Sequence, residues 1–209
     1  MASTLLKRWA ILRAVLSMLA VGVLLSSCTP QDARLAGIDM KGEPATDFRL
    51  TGHAGDTVQL SSLRGRVVVL TFLYTSCPDT CPLIAGKFGV VHDRLGQLAQ
   101  GSSFLAVTVD PERDTPYRLH QYLEAQQLQG KMDFLTGSRP DLEKIWTAYH
   151  VGVQRPPAHA EVGGSGQGYE VAHTEAVYVI DKQGKLRRLF KADFEPAALA
   201  KDVELLSRE

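Results

Sequence analysis

Cysteine is scarce in this sequence, with three residues in 209, at positions 28, 77 and 81. Two of them are four apart, so a bridge between them would close a five-residue loop and constrain little unfolded-chain entropy. That excludes a disulfide-stapled scaffold. Net charge is lacking too: 23 basic residues balance 23 acidic ones. The first 27 residues hold Lys7, Arg8 and Arg13 and no acid, which leaves 20 basic against 23 acidic side chains in the remainder. A faintly acidic chain has no nucleic-acid footprint. Long apolar runs are also missing. The longest apolar stretch, Ala14–Leu25, has 12 residues, whereas a bilayer-crossing helix needs about 20.

What the chain does contain is globular in composition, 44% hydrophobic and 22% charged, in a length that suits one folded domain with a single core. The basic start, the apolar stretch and the small residues after it read as a secretory signal. Its end, Leu25-Ser26-Ser27-Cys28, resembles the bacterial lipobox, in which cleavage leaves a lipid-modified cysteine as the first residue. The alternative is an uncleaved anchor helix from near Trp9, which Arg13 would interrupt. Either reading puts the folded part outside the cytoplasm. The expected division is a lipoprotein-type signal at 1–27, a flexible tether at 28–44 and one domain at 45–209. With lipid on Cys28, only Cys77 and Cys81 remain as thiols, and they are free for chemistry.

Taken in order, the domain begins with two short extended pieces, Phe48–Leu50 and Thr57–Leu60, around the turn composition Gly52-His53-Ala54-Gly55-Asp56, which predicts a hairpin. Val67–Tyr74 is β-branched and aromatic without alternation, the pattern of a strand buried on both faces. Cys77-Pro78-Asp79-Thr80-Cys81-Pro82 follows directly. Ile84, Phe88, Val91, Leu95 and Leu98 then recur on one helical face, with Gly86 and Gly89 suggesting close packing against the sheet. A strand at Phe104–Val109 leads through Asp110-Pro111-Glu112-Arg113-Asp114 to Thr115, a predicted N-cap followed by Pro116. Met132–Leu135 predicts a short strand, and Leu142, Ile145, Trp146 and Tyr149 a third helix. From Gly152 to about Ala172 the pattern fails, and the glycines at 163, 164, 166 and 168 predict a long mobile loop. It ends at His173, just before the strand Ala176–Ile180. A hairpin through Leu186–Phe190 and a helix from Glu195 close the chain. This is an α/β order with the cysteine pair at the carboxyl end of a central strand, where active sites of open α/β sheets concentrate.

Two thiols at a strand-to-helix junction are a chemical instrument. Placed in a first helical turn, both would be shifted toward thiolate by unpaired N–H groups and the helix dipole, and their spacing would let both converge on one point. Soft convergent thiolates select Cu(I), Zn(II) or an iron–sulfur cluster. A cluster normally requires four thiolates, and structural zinc would have to recruit two histidines. Copper suits two thiolates with one imidazole, which helps to hold Cu(II). Of the six histidines, His53, His92, His120 and His150 fit solvated, packing or capping roles. His159 lies in the loop and has the reach. His173 is best placed, at the loop-to-strand junction beside the same sheet edge as the cysteines.

Three stretches in order, Tyr74–Pro82, Val109–Pro116 and Ala172-His173-Thr174 ahead of Val177–Asp181, resemble the Sco (SenC) proteins over about Ala45 to the end. The resemblance implies a thioredoxin-like fold: a central mixed sheet flanked by helices, with an N-terminal hairpin. It also implies copper, as Cu(I) and Cu(II), bound by Cys77, Cys81 and His173. The implied role is a metallochaperone for the dinuclear copper site of cytochrome c oxidase subunit II, with a possible periplasmic copper donor, on the outer face of a bacterial cytoplasmic membrane. Family members are commonly held by a transmembrane helix, whereas this chain resembles a lipoprotein anchored at Cys28. The glycine-rich stretch has no counterpart in the resemblance. Asp79, Asp110 and Asp114 lie in matching motifs, and their residue types read as caps and turn residues.

A second function is a thiol–disulfide oxidoreductase that reduces the cysteines of the oxidase copper site, with Cys77 and Cys81 as its redox pair. Against a general oxidoreductase, three residues rather than two separate the cysteines, and His173-Thr174-Glu175 stands where thioredoxins resemble one another in placing a proline. No peroxidase motif is present.

Overall fold

The computed structural model describes Leu35–Arg155 and Tyr169–Glu209. Ten strands are present among these residues: β1 (Ile38–Pro44), β2 (Arg49–Gly52), β3 (Thr57–Gln59), β4 (Val67–Leu73), β5 (Ser102–Thr108), β6 (Asp133–Thr136), β7 (Val153–Gln154), β8 (Ala172–His173), β9 (Ala176–Ile180) and β10 (Lys185–Lys191). The helices are α1 (Thr80–Leu95), α2 (Pro116–Ala125), α3 (Arg139–Ala148) and α4 (Pro196–Ser207). Eight strands form one sheet in the order β1-β10-β9-β4-β5-β6-β2-β3, and β7 and β8 form a separate ribbon. Strands β4, β5 and β6 run parallel, while β9, β10, β1, β2 and β3 pair antiparallel to their neighbours. This is the expected thioredoxin-like architecture, a mixed sheet flanked by four helices.

All seven residues of β4 are buried, because the sheet is covered on both sides and a β-branched run satisfies both faces at once. Thr71 is the polar exception, and its hydroxyl donates to the Ala176 carbonyl at 2.9 Å. Truncating Leu70, which is fully buried, would cost about 3 kcal/mol. α1 buries Ile84, Phe88, Val91 and Leu95 as the spacing predicts. Gly96, with φ of 54°, ends it, so Leu98 falls in a 3-10 turn and is exposed rather than part of the helical face. Of the two helical glycines, Gly89 lies so close to Leu128 that a Cβ would approach it to 2.8 Å, whereas Gly86 faces open space. The predicted N-cap is present: Thr115 Oγ1 accepts from the Arg118 N–H, with Pro116 at the first position of α2.

The expected tether at 28–44 is corrected in its last residues. Ile38–Pro44 is β1, the strand at one edge of the sheet, paired with β10. Its side chains are mostly exposed and it carries an irregularity between Asp39 and Glu43, where Lys41 and Gly42 have positive φ. Just before it, buried Asp202 of α4 accepts from the Ala36 N–H at 2.7 Å and the Gly37 N–H at 3.1 Å. Pairing and this carboxylate, rather than an apolar pattern, make the strand. The signal and Cys28 lie outside the described residues, as does most of the expected loop, including His159. Among the described residues no helix is long and apolar enough to cross a membrane.

Candidate metal centre

The cysteines sit where β4 runs out. Leu73 ends the strand, its carbonyl accepts from the Val109 N–H at 2.9 Å, and a turn closed by Cys77 N–H on the Tyr74 carbonyl at 3.4 Å carries the chain to α1. That turn rests on a buried carboxylate. Asp114 accepts from the Thr75 N–H at 3.2 Å, the Thr75 hydroxyl at 2.5 Å and the Thr108 hydroxyl at 2.5 Å. Burial pushes the Asp114 carboxyl upward, against these donors.

Cys77 lies before the helix and is half-buried, while Cys81 lies in the first turn of α1 and is fully buried. The expectation that both occupy the first helical turn therefore holds for Cys81 alone. Asp79 is the N-cap residue by position, but its side chain makes no capping hydrogen bond, and one of the N–H groups left free, that of Cys81, points at Cys77 Sγ, 3.4 Å away. The thiols consequently differ. Cys77 is lowered to about 5, first by a hydrogen bond from the Cys81 thiol, then by the backbone N–H groups of Asp79 and Cys81 and by Tyr74, with burial opposing. Cys81 is raised, first because it donates to Cys77, then by burial and the Cys77 charge. The two thiols are pushed in opposite directions, where both were expected to be shifted toward thiolate.

His173 arrives from β8. Its pairing partner across the ribbon is Val153, and the ribbon is closed below it by Thr174 N–H on the Gly152 carbonyl at 3.0 Å and Gly152 N–H on the Thr174 hydroxyl at 3.1 Å. The ring stands edge-on to Tyr74, with centroids 5.8 Å apart. Its Nδ1 lies 3.2 Å from the Thr174 carbonyl, which assigns the proton to Nδ1 and leaves Nε2 as the free donor atom. Nε2 is 3.8 Å from Cys81 Sγ. Ligand bonds of about 2.3 Å to sulfur and about 2.0 Å to nitrogen at tetrahedral to trigonal angles would set those atoms about 3.5 to 3.7 Å apart, so Cys81 and His173 are nearly at ligand spacing. Among the described residues no three His, Cys, Asp or Glu side chains already enclose one point. The donor set is soft on one side and imidazole on the other, which is the chemistry of copper more than of magnesium or calcium.

The other histidines are elsewhere. His53 stacks on His120 with centroids 6.0 Å apart, and its Nδ1 is 3.7 Å from Asp133. His92 packs against Phe104, and His150 takes a positive φ after α3. Sequence reasoning missed the surroundings of the site more than its donors. Asp110 opens a turn, its carbonyl accepting from the Arg113 N–H at 3.2 Å and the Asp114 N–H at 3.0 Å, but Asp110 and Asp114 are also fully buried hydrogen-bond hubs, and Tyr74, whose hydroxyl accepts from the Val171 N–H at 3.3 Å, links the cysteine turn to the histidine strand. The signal for them was the dense Asp110–Asp114 motif itself.

Known proteins resemble this chain over most of its length. The SCO2-like protein of Rickettsia prowazekii is 29% identical over 214 residues, covering 100% of this chain and 99% of the relative. The human mitochondrial SCO1 homolog is 27% identical over 158 residues, 75% of this chain and 50% of that protein. Among solved structures, Bradyrhizobium japonicum ScoI with copper bound is 28% identical with a TM-score of 0.68, covering 78% of this chain and 99% of that one. Apo Sco1 from Thermus thermophilus is 30% identical with a TM-score of 0.68, covering 81% and 95%. The family model described as SCO1/SenC matches residues 39–208, and the chain belongs to the SCO1/SenC family.

Proposed function

We propose that this protein is a copper metallochaperone that holds the ion between the Cys77 and Cys81 sulfurs and His173 Nε2 and passes it to the dinuclear copper site of cytochrome c oxidase subunit II. The observation that carries this reading is the 3.8 Å approach of a free imidazole nitrogen to a thiol sulfur across 92 residues of sequence. Delivery needs an ion that is bound and then surrendered. Cys77 is half-buried at the mouth of the site, so an acceptor thiolate can add to the ion there while His173 leaves, and no free copper is formed. Cu(I) is the cargo held by sulfur, and the imidazole extends the site to Cu(II). A periplasmic copper donor would load it. Lipid on Cys28 would keep the domain at a bacterial membrane, outside the cytoplasm; a SCO1/SenC family lipoprotein is among the proteins of the same fold.

The test is a copper titration of the reduced full-length chain in detergent. One copper should bind with sulfur-to-copper charge-transfer absorption, and His173→Ala should weaken Cu(II) more than Cu(I). An unchanged Cu(II) affinity in that variant would remove His173 from the site.

The unequal thiols favour a second reading, dithiol reduction of the same partner. Cys77 thiolate would attack a disulfide of subunit II and release one of its thiolates. Cys81, once deprotonated, would then attack Cys77 sulfur, form the intramolecular disulfide and free the second. A relative of the same fold from the Sco family of cytochrome c oxidase assembly proteins is described as having a disulfide switch. If the chain binds copper negligibly yet reduces oxidised subunit II, this reading replaces the first.

A further inference from the structure

The ribbon that presents His173 is only two residue pairs long and shares no strand with the main sheet. A two-stranded piece of that size has little stability of its own, so the position of the imidazole depends on what the ribbon's ends are tied to. Both ends reach one carboxylate. Asp110, in the loop after β5, is fully buried. It accepts from the Tyr169 hydroxyl at 2.6 Å, four residues before His173, and lies 3.5 Å from Arg155 Nη2, two residues after Val153. Arg113 adds a third contact through its Nε, and its guanidinium lies 3.9 Å from the Tyr169 ring centroid and 5.8 Å from that of Tyr74, so it bridges the ribbon to the cysteine turn. Arg155 further donates to the Val109 carbonyl at 2.8 Å and pairs with Glu112.

We propose that Asp110, Tyr169 and Arg155 are positioning residues that set the distance of His173 from the cysteines, and through it the preference of the site for Cu(II) over Cu(I). The inference rests on His173 being a ligand. Outer contacts of this kind decide where a ligand stands rather than whether it exists, and their loss costs roughly tenfold in metal affinity. The effect falls mainly on Cu(II), which needs the imidazole, and much less on Cu(I), for which the two sulfurs are the main donors.

The experiment compares Cu(I) and Cu(II) affinities of the full-length chain with those of Tyr169→Phe, Arg155→Lys, His173→Ala and the Tyr169→Phe/His173→Ala double variant. Tyr169→Phe keeps the stack on Arg113 and removes one hydrogen bond, so it folds. The expected result is about tenfold weaker Cu(II) binding in Tyr169→Phe and Arg155→Lys with a much smaller loss for Cu(I), and no further loss when Tyr169→Phe is added to His173→Ala. In the copper-free chain, amide hydrogen exchange at Val153 and His173 should accelerate while that of β4 stays slow. Wild-type Cu(II) affinity in Tyr169→Phe beside a weakened His173→Ala overturns the inference alone. Equal loss of both oxidation states, or an added loss in the double variant, overturns it too, because Tyr169 would then act on the whole fold. Unchanged Cu(II) affinity in His173→Ala sinks the ligand reading and this inference with it.

Discussion

The cysteine turn and the histidine ribbon meet at one point but are built differently. The turn is the continuation of the most buried strand of the sheet, and Asp114 ties it from inside with hydrogen bonds to Thr75 and Thr108. The ribbon stands outside the sheet and is tied at its rim, by Asp110 and by ion pairs of Glu112 with Arg139 and Arg155 whose acid is 43% exposed. One half of the site is as rigid as the core, and the other is as adjustable as its anchors. On the proposed delivery reading, that division puts release on the imidazole side.

The largest effect should come from breaking the rigid half. Asp114→Ala leaves the Thr75 N–H and two hydroxyls without their acceptor inside the protein, at a cost of about 2–4 kcal/mol. Chemical denaturation should show this loss, and Cu(I) and Cu(II) affinities should fall together, because the turn carries both sulfurs. If only Cu(II) binding suffers, the turn is not the rigid half and the comparison fails.

A smaller effect tests the unequal thiols. With Cys77 lowered to about 5, it is thiolate throughout the neutral range, and its alkylation should persist down to about pH 5, where protonation begins to remove it. Cys81→Ala removes the first cause of the lowering, so the Cys77 pKa should rise toward an ordinary thiol value of about 8.5. Alkylation of Cys77 at about pH 6 should then slow at least tenfold. A rate that does not change would mean that the helix N–H groups alone hold the thiolate. His173→Ala, acting in the adjustable half, should leave the rate within about twofold.

The two halves were also unequally readable. β4 could be read from its β-branched run, because burial on both faces leaves a continuous apolar signature, and the caps at Thr115 and Pro116 follow from local chemistry. The approach of His173 to the cysteine edge was only half legible from chain order, since the loop before an inner strand returns to that edge only when the strand runs antiparallel to β4, as β9 does. The asymmetry of Cys77 and Cys81 was not legible, because it depends first on which thiol donates to the other and then on which sulfur the Cys81 N–H meets. β1 was hidden for another reason: an edge strand defined by pairing with β10 and by Asp202 needs no apolar pattern. Asp110 and Asp114 looked like turn residues because sequence shows a carboxylate's neighbours in the chain, while their partners Tyr169 and Thr75 lie 59 and 39 residues away.

The smallest effect would sharpen the comparison by using salt alone. The Glu112 pairs with Arg139 and Arg155 are partly solvated, and raising ionic strength from about 0.1 M to about 1 M shortens the screening length from about 10 Å to about 3 Å. The contacts of Asp114 lie inside the protein and are screened far less. A non-coordinating salt should therefore weaken Cu(II) binding by about twofold and leave Cu(I) binding unchanged, as competition titrations with a chelator would measure. Glu112→Gln should lower Cu(II) affinity by a similar factor at low salt and remove most of the salt dependence. Equal salt effects on both oxidation states would place the screened charges around the sulfurs instead, and the rim of the ribbon would lose its claim to be the adjustable side.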